Sequence, residues 1–242
     1  MIEVDLHAHS LFSLCGLHTI IELLQYARDK GMKGLAVTDH GPLLNGRVNS
    51  VFFERLKDPV EGIILLKGME CNLAEKRGVI DFPVQFLQFT DIVLLGFHHN
   101  IEKGSGKKVY TDMMISALEN NPYVDIITHP NDPVYEFDFQ AVAEKAQELG
   151  MVFELNNSKL LLNRVDRSKM EKMILICIKA GCRMALCSDT HALNELGRDD
   201  FLIPLIEKME IPEQYLVNNT ASKGFQFIEE RRKIKEGFKI EE

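Results

Sequence analysis

Apolar residues in this chain gather into short unbroken runs, each ending within a few positions on a His, Glu, Asn or Asp. The runs are EVDLHAHS at 3–10, GLAVTDH at 34–40, IILLKGMECNL at 63–73, DIVLLGFHH at 91–99, DIITHP at 125–130, MVFELNNS at 151–158 and RMALCSDTH at 183–191. Continuous apolar strands, as opposed to alternating ones, are the mark of parallel strands covered on both faces. Between them the period changes to that of a helix. Ile20, Leu23, Leu24 and Ala27 share one helical face behind a capping box of Thr19 and Glu22, and Gly31 stops the helix. Asp138 opens a second helix carrying Phe139, Val142, Ala143, Ala146 and Leu149, closed by Gly150. Ser168 with Glu171 reads as another capping box, for a helix ending at Gly181.

The polar ends of the runs, His7, His40, Glu70, His98, His129, Asn156 and Asp189, follow one another at steps of 27 to 33 residues. One strand and its crossover fit each step. With no Pro/Gly/Ser linker between them, seven such units predict an α/β protein built as one closed or nearly closed barrel. A single domain over 1–242 is expected, the barrel at about 1–210. A short connection and a charged helix around Phe225, Phe227 and Ile228 would fill about 211–242.

Composition narrows the function. A 242-residue chain that is 45% apolar and 26% charged is an ordinary globular chain, and its net charge of −8 offers no basic footprint for nucleic acid or an anionic membrane. Phosphate chemistry would therefore need local cations or bound metals. Five cysteines without framework spacing and no charged-then-apolar leader point to a reducing cytoplasm. No apolar run has the length of a spanning helix.

In a parallel barrel the carboxyl ends of all strands meet on one face, where the site lies. Six of the eight histidines, His7, His9, His40, His98, His129 and His191, fall at such ends with Glu70 and Asp189. His7 and His9, one residue apart on an extended chain, aim both imidazoles at one spot. Neutral imidazole is the commonest transition-metal ligand, so this concentration points to a metal site rather than to scattered loop histidines.

DLHAHS at 5–10, TDHG at 38–41, GMEC around Glu70, GFH at 96–98, THP at 128–130, ELNNS at 154–158 and SDTH at 188–191 together resemble the polymerase-and-histidinol-phosphatase (PHP) family over nearly the whole chain. Within that family, the likeness is to the small stand-alone bacterial phosphatases. The resemblance implies a distorted seven-stranded (β/α)7 TIM-like barrel, two or three divalent ions, and hydrolysis of a small phosphate monoester through a metal-bridging hydroxide. It makes His7, His9, Glu70 and Asp189 ligands of a first metal. Glu70, bridging, joins His98 and His129 at a second, and His40 and His191 contribute to a third. Glu70, Asp189 and His191 are then the catalytic candidates. Imidazole and carboxylate accept Zn, Mn and Fe, with zinc the first expectation. The implied partner is a small phosphorylated substrate, with homo-oligomeric assembly in keeping with the family.

One position departs from the pattern. Relatives place a histidine where this chain has Cys15, and three readings follow: a thiolate ligand for zinc, His18 reaching in instead, or a weak or empty third site. Asp5 and Asp39, beside ligands, are candidates to orient imidazoles. Asn156, Asn157 and Arg164 are candidates for substrate binding, the arginine because its planar fork grips phosphate with two parallel donors.

Three rival functions stay in view. An amidohydrolase-type metal hydrolase usually needs a carbamylated lysine at a strand end, and Lys67, three residues before Glu70, is poorly placed for it. A PHP exonuclease acting on nucleic-acid ends would want a basic groove. A non-catalytic metal-binding barrel would not need so full a ligand set.

Overall fold

Seven parallel strands form one sheet in strict sequence order, β1 Val4–Asp5, β2 Gly34–Val37, β3 Ile64–Asn72, β4 Ile92–Gly96, β5 Ile126–Ile127, β6 Val152–Asn156 and β7 Met184–Cys187. The computed structural model describes residues 1–238. Beyond the last regular rungs, Ala8 bridges Thr190 in parallel and His9 N donates to Thr190 O at 2.8 Å, so the ends of β7 and β1 meet and the sheet curls into a barrel.

Period-two alternation sorts the strand residues into two shells. Ala36, Leu66, Ile92, Leu94, Ile126, Val152 and Ala185 face inward with Val4 and Leu6 and make the barrel interior. Leu35, Val37, Leu65, Val93, Leu95, Ile127 and Phe153 face outward against the helices. Continued upward, the inward series runs from apolar to polar: Ala36, Thr38, His40 on β2; Leu66, Gly68, Glu70 on β3; Leu94, Gly96, His98 on β4; Val152, Glu154, Asn156 on β6. The alternation that packs the interior thus also delivers polar side chains to its upper end.

The outer layer is less regular than the βα spacing predicts. Helices α1 Ile20–Asp29, α2 Lys107–Asn120 and α3 Phe139–Glu148 are joined by the short α4 Asn157–Leu161, α5 Arg167–Ala180, α6 Leu202–Lys208 and α7 Ala221–Glu236. Between β2 and β3, and again between β3 and β4, the crossover is made of single turns at Pro42–Leu44, Val51–Arg55 and Val84–Phe89. Pro42, Pro59 and Pro83, each lacking an amide donor, interrupt any longer helix there. The Thr19 and Glu22 capping box and the Asp138 cap form as expected. The Ser168 cap does not. Helix α5 begins earlier, at Arg167, with Asp166 as its N-cap accepting from Ser168 N, which places Ser168 inside the first turn. Gly181, at φ 74°, closes α5 in the left-handed region that favours glycine.

Helix α7 seals the lower end of the barrel. Phe227 and Ile228 join the interior cluster, and Gly224 lets the helix approach Val4 so closely that an added Cβ would stand 3.0 Å from the valine Cβ. The charged part of the helix is also buried: Arg231 Nε and Lys235 Nζ hold the two oxygens of Asp125 at 2.7 and 2.6 Å. Positions 239–242 lie outside the described residues. No helix among the described residues is long and apolar enough to cross a membrane.

Candidate metal centre

Glu70 lies within β3, but the other expected metal ligands lie beyond the regular strands. His129 and Asp189 adopt positive φ of 30° and 52°, conformations that end the ladders of β5 and β7 and turn both side chains over the barrel mouth. There the nine residues expected to bind metal come together. His7, His9 and Asp189 form one donor group, His40, Glu70 and His98 a second, and His9, Cys15, His40 and His191 a third, with the donor atoms of each group within 4.8 Å of one another. His129 Nε2 lies 3.0 Å from Glu70 Oε1 and 3.2 Å from His98 Nε2. His9 and His40 each belong to two groups, so the clusters are contiguous rather than separate sites.

The outer nitrogens are tied down, which fixes where the inner lone pairs point. His7 Nδ1 donates to Glu154 Oε1 at 2.6 Å. His9 Nδ1 donates to Ser13 Oγ at 2.9 Å, and Ser13 Oγ passes its own proton to Asp39 Oδ1 at 2.6 Å. His191 Nδ1 donates to the Asp189 carbonyl at 3.0 Å. With both Nδ1 atoms donating, His7 and His9 present Nε2 lone pairs that face each other across 3.0 Å. Two lone pairs at that distance repel unless a proton or a metal cation stands between them. Buried polar atoms also lack partners here: His40 Nδ1 and Glu70 Oε2 approach to 2.8 Å without hydrogen-bonding geometry, and His98 Nδ1 has none. A cluster of orphaned nitrogen and carboxylate donors in a buried site is what divalent cations satisfy, so these residues fit such ions.

The electrostatics agree. Burial pushes the Glu70 carboxyl up, but His7, His98 and His40 outweigh it and hold the group well below the usual carboxylate range. Asp189 is likewise held low against its burial, chiefly by His7 and His9. Both are therefore anions at neutral pH. Burial lowers His98 to about 4 and His9 below its ordinary value, leaving them neutral, the form that ligates. His7 moves the other way: burial disfavours its charge, yet Glu154, Glu70 and Asp189 overcome that and raise it. Three carboxylates around one imidazole make a well for positive charge.

Cys15 belongs to this cluster, whereas His18 lies outside the three donor groups. The thiol is exposed at the open side of the mouth, beside His191, whose side chain is 35% accessible. Burial raises it, but hydrogen bonds and charge from His191 and His40 prevail and bring it down to about 7.

The remaining candidates are placed differently from one another. Asp39 acts on His9 through Ser13. Asp5 does not touch an imidazole; it accepts from the backbone amides of His7, Ser188 and Gly197 and fixes the strand ends instead. Asn156 is fully buried beneath the carboxylates, its Nδ2 donating to Glu154 Oε2 and Asp189 Oδ2 and its Oδ1 accepting from Lys159 N. Asn157 is also buried, with Oδ1 accepting from Phe201 N. Arg164 is exposed and lines a groove with Leu160, Asn163 and Phe201. Lys67 gives its ammonium to the Phe53 carbonyl at 2.6 Å, so it does not stand at the mouth as the carbamylated lysine of an amidohydrolase would.

Two contributors escape a reading of the sequence. Glu154 receives His7 and also the His129 amide, joining β1 to β5 beneath the cluster. Its signals were the ELNNS motif that it opens and its place two residues before Asn156, on the same face of the strand, neither of which names its partners. Ser13 carries no recognisable signal among the serines of the chain.

A family model described as PHP domain matches residues 5–220. A probable phosphatase of Caldanaerobacter subterraneus subsp. tengcongensis is 36% identical over 235 residues, covering 95% of this chain and 92% of that one. A probable phosphatase of Shewanella sp. strain ANA-3 is 35% identical over 235 residues, covering 94% and 92%. Among solved structures, the histidinol phosphate phosphatase of Lactococcus lactis subsp. lactis, complexed with zinc, L-histidinol and phosphate, matches with a TM-score of 0.63 at 17% identity, over 86% of this chain and 93% of that one. An archaeal ribonuclease P structure contains a chain with the same TM-score at 12% identity. At these identities the likeness is one of fold.

Proposed function

Because the chain belongs to the PHP domain family, we propose that it is a metal-dependent phosphatase, acting as one domain, that hydrolyses a small phosphate monoester at the mouth of the barrel. The naming of relatives as probable phosphatases supports the reaction class. The observation that carries the reading to this site is the convergence of the His7 and His9 Nε2 atoms at 3.0 Å beside anionic Glu70 and Asp189. In this reading His7, His9 and Asp189 hold one ion, Glu70 with His98 and His129 a second, and Cys15, His40 and His191 a third, with Glu70 bridging. Zinc suits a set that mixes nitrogen, oxygen and sulfur donors.

Bound there, divalent ions supply water acidified to near neutrality and a cationic seat for phosphoryl oxygens. The protein's own residues do the rest. Glu154 and Ser13 keep the protons of His7 and His9 on the outer nitrogens, so that the inner ones stay free. Asn156 steadies Asp189, and Arg164 at the rim offers a planar fork to the arriving anion. His191 is the most accessible imidazole of the cluster and the candidate to pass a proton to the leaving alkoxide. It does so only when its Nε2 is not itself a ligand, since Nδ1 is engaged by the Asp189 carbonyl.

A screen over a panel of small phosphomonoesters, with metal content measured on the same sample, tests the proposal. Hydrolysis that tracks metal content is expected. A fully loaded protein inert toward the whole panel would overturn it.

A further inference from the structure

The geometry of α4 points to Lys159, in the helix turn that Asn156 splints to Asp189, as a further substrate-binding residue whose ammonium takes an oxygen of the phosphoryl group. The inference rests on the phosphatase reading and deepens it.

The position follows from how the strand becomes a helix. Asn156 is both the last residue of β6 and the N-cap of α4. Its Oδ1 accepts from Lys159 N at 2.9 Å while its Nδ2 donates to Asp189 Oδ2 at 3.0 Å. One fully buried amide therefore splints the first turn of α4 to the carboxylate of the metal cluster. The next residue, Asn157, ties the same turn to Phe201, on the wall of the groove that holds Arg164. Lys159 is thus fixed between the cluster and the groove. It is half-buried, and among the described residues no ion pair or side-chain hydrogen bond engages its ammonium. Its charge nevertheless reaches Asp189, where it adds to that of His7 in keeping the carboxylate ionised.

Chemistry gives the ammonium a task. A phosphate monoester is a dianion at neutral pH and must approach a mouth that already carries Glu70, Asp189 and the Cys15 thiol, on a chain of net charge −8. On the Asp189 side, an incoming oxygen meets a carboxylate at close range. A compact cation there cancels that repulsion and donates a charge-assisted hydrogen bond. Among the described residues Lys159 makes no direct contact with Asp189, whose oxygens meet Asn156 and His9 instead. The ammonium is left available for a ligand.

Calorimetric binding of inorganic phosphate to metal-loaded protein, alongside steady-state kinetics, tests this. Lys159→Met should weaken phosphate binding and raise KM by about tenfold or more, as loss of a charge-assisted bond predicts, with a smaller change in kcat and with metal content unchanged. Lys159→Arg, which keeps the charge, should restore most of the affinity. Equal phosphate affinity in wild type and Lys159→Met would overturn the inference alone. So would a loss explained wholly by lower metal content, which would make Lys159 a prop for Asp189. A loaded wild type that neither binds phosphate nor hydrolyses any ester would overturn the phosphatase reading, and the inference with it.

Discussion

Glu154 Oε1 lies 2.6 Å from His7 Nδ1, both side chains wholly buried, and this one bond decides which nitrogen of His7 faces the cluster. The pairing of a carboxylate with an imidazole fixes the tautomer and raises the basicity of the free nitrogen. Glu154→Gln keeps the shape but removes the charge that draws the proton to Nδ1. It should weaken metal binding by about ten- to a hundredfold. Competition with a chromophoric chelator would measure it, and an unchanged affinity would show that ring orientation alone suffices.

Glu70 reaches His7, His9, His40, His98 and His129 at 2.8 to 3.5 Å, which no other carboxylate of the cluster does. Glu70→Gln takes a charge from between two donor groups. Both metal occupancy and turnover should fall, and full activity at normal occupancy would remove Glu70 from the centre.

Much of this site was legible because the same alternation that makes a strand also makes a ligand. Leu66, Gly68 and Glu70, or Leu94, Gly96 and His98, are one inward series, so the apolar run announced the polar end. What the sequence withheld was of another kind. His129 and Asp189 leave the strands through positive φ, which side-chain identity does not encode. The crossovers after β2 and β3 have helical length but are broken by prolines into single turns. Ser168 yielded its cap to Asp166, whose carboxylate takes the Ser168 amide and draws Ser168 into the first turn. The roles of Glu154, Ser13 and Asn156 depend on contacts between residues far apart in the chain, such as Glu154 with His7 and Asn156 with Asp189. Periodicity says which way a side chain points but not what it meets.

The lower end of the barrel makes a stability prediction independent of the metals. Asp125, fully buried, joins Arg231 and Lys235 of α7, and Arg231 also donates to the carbonyls of Leu149, Pro122 and Val124. Removing the carboxylate strands two buried cations. Asp125→Asn should cost about 3–5 kcal/mol, the usual penalty for breaking a buried pair. Urea unfolding of metal-free wild type and variant would show it, and a difference below about 1 kcal/mol would place the cluster in water.

Proton release should accompany metal loading. In the metal-free protein, His40 is raised to about 10; burial opposes its charge, but Glu70 and Cys15 prevail. His7 is raised well above its ordinary value, and His191 is raised too, so His7 and His40 are protonated at pH 7 and must lose that proton to ligate. Apparent affinity should therefore climb with pH, and heats of binding should vary with the ionisation enthalpy of the buffer. The same shift has a stability sign. A folded-state value above the unfolded 6.5 contributes stability that is complete below 6.5 and lost as pH rises through about 10. The contribution of His40 to the metal-free fold should fade across that window. Buffer-independent heats at pH 7 would mean that the imidazoles are already neutral.

Cys15 stands where the family resemblance implies a histidine, and its sulfur meets the donor atoms of His9, His40 and His191 within 4.8 Å. A thiolate there makes a softer and more negative shell than imidazole, one suited to zinc but weaker in its pull on a phosphoryl oxygen. Wild type should load a third zinc, Cys15→Ser should lose it and keep two, and Cys15→His should regain it. In the metal-free protein the thiol is lowered to about 7, so alkylation by iodoacetamide should rise through that pH, well below the range of an ordinary thiol. Zinc should then protect the sulfur, since the same lone pairs cannot serve metal and alkylating agent at once. Elemental analysis of the three proteins after identical loading decides the matter. Equal zinc in wild type and Cys15→Ser would show that sulfur is no essential ligand: at three ions the third is held without it, and at two the third site is vacant in both.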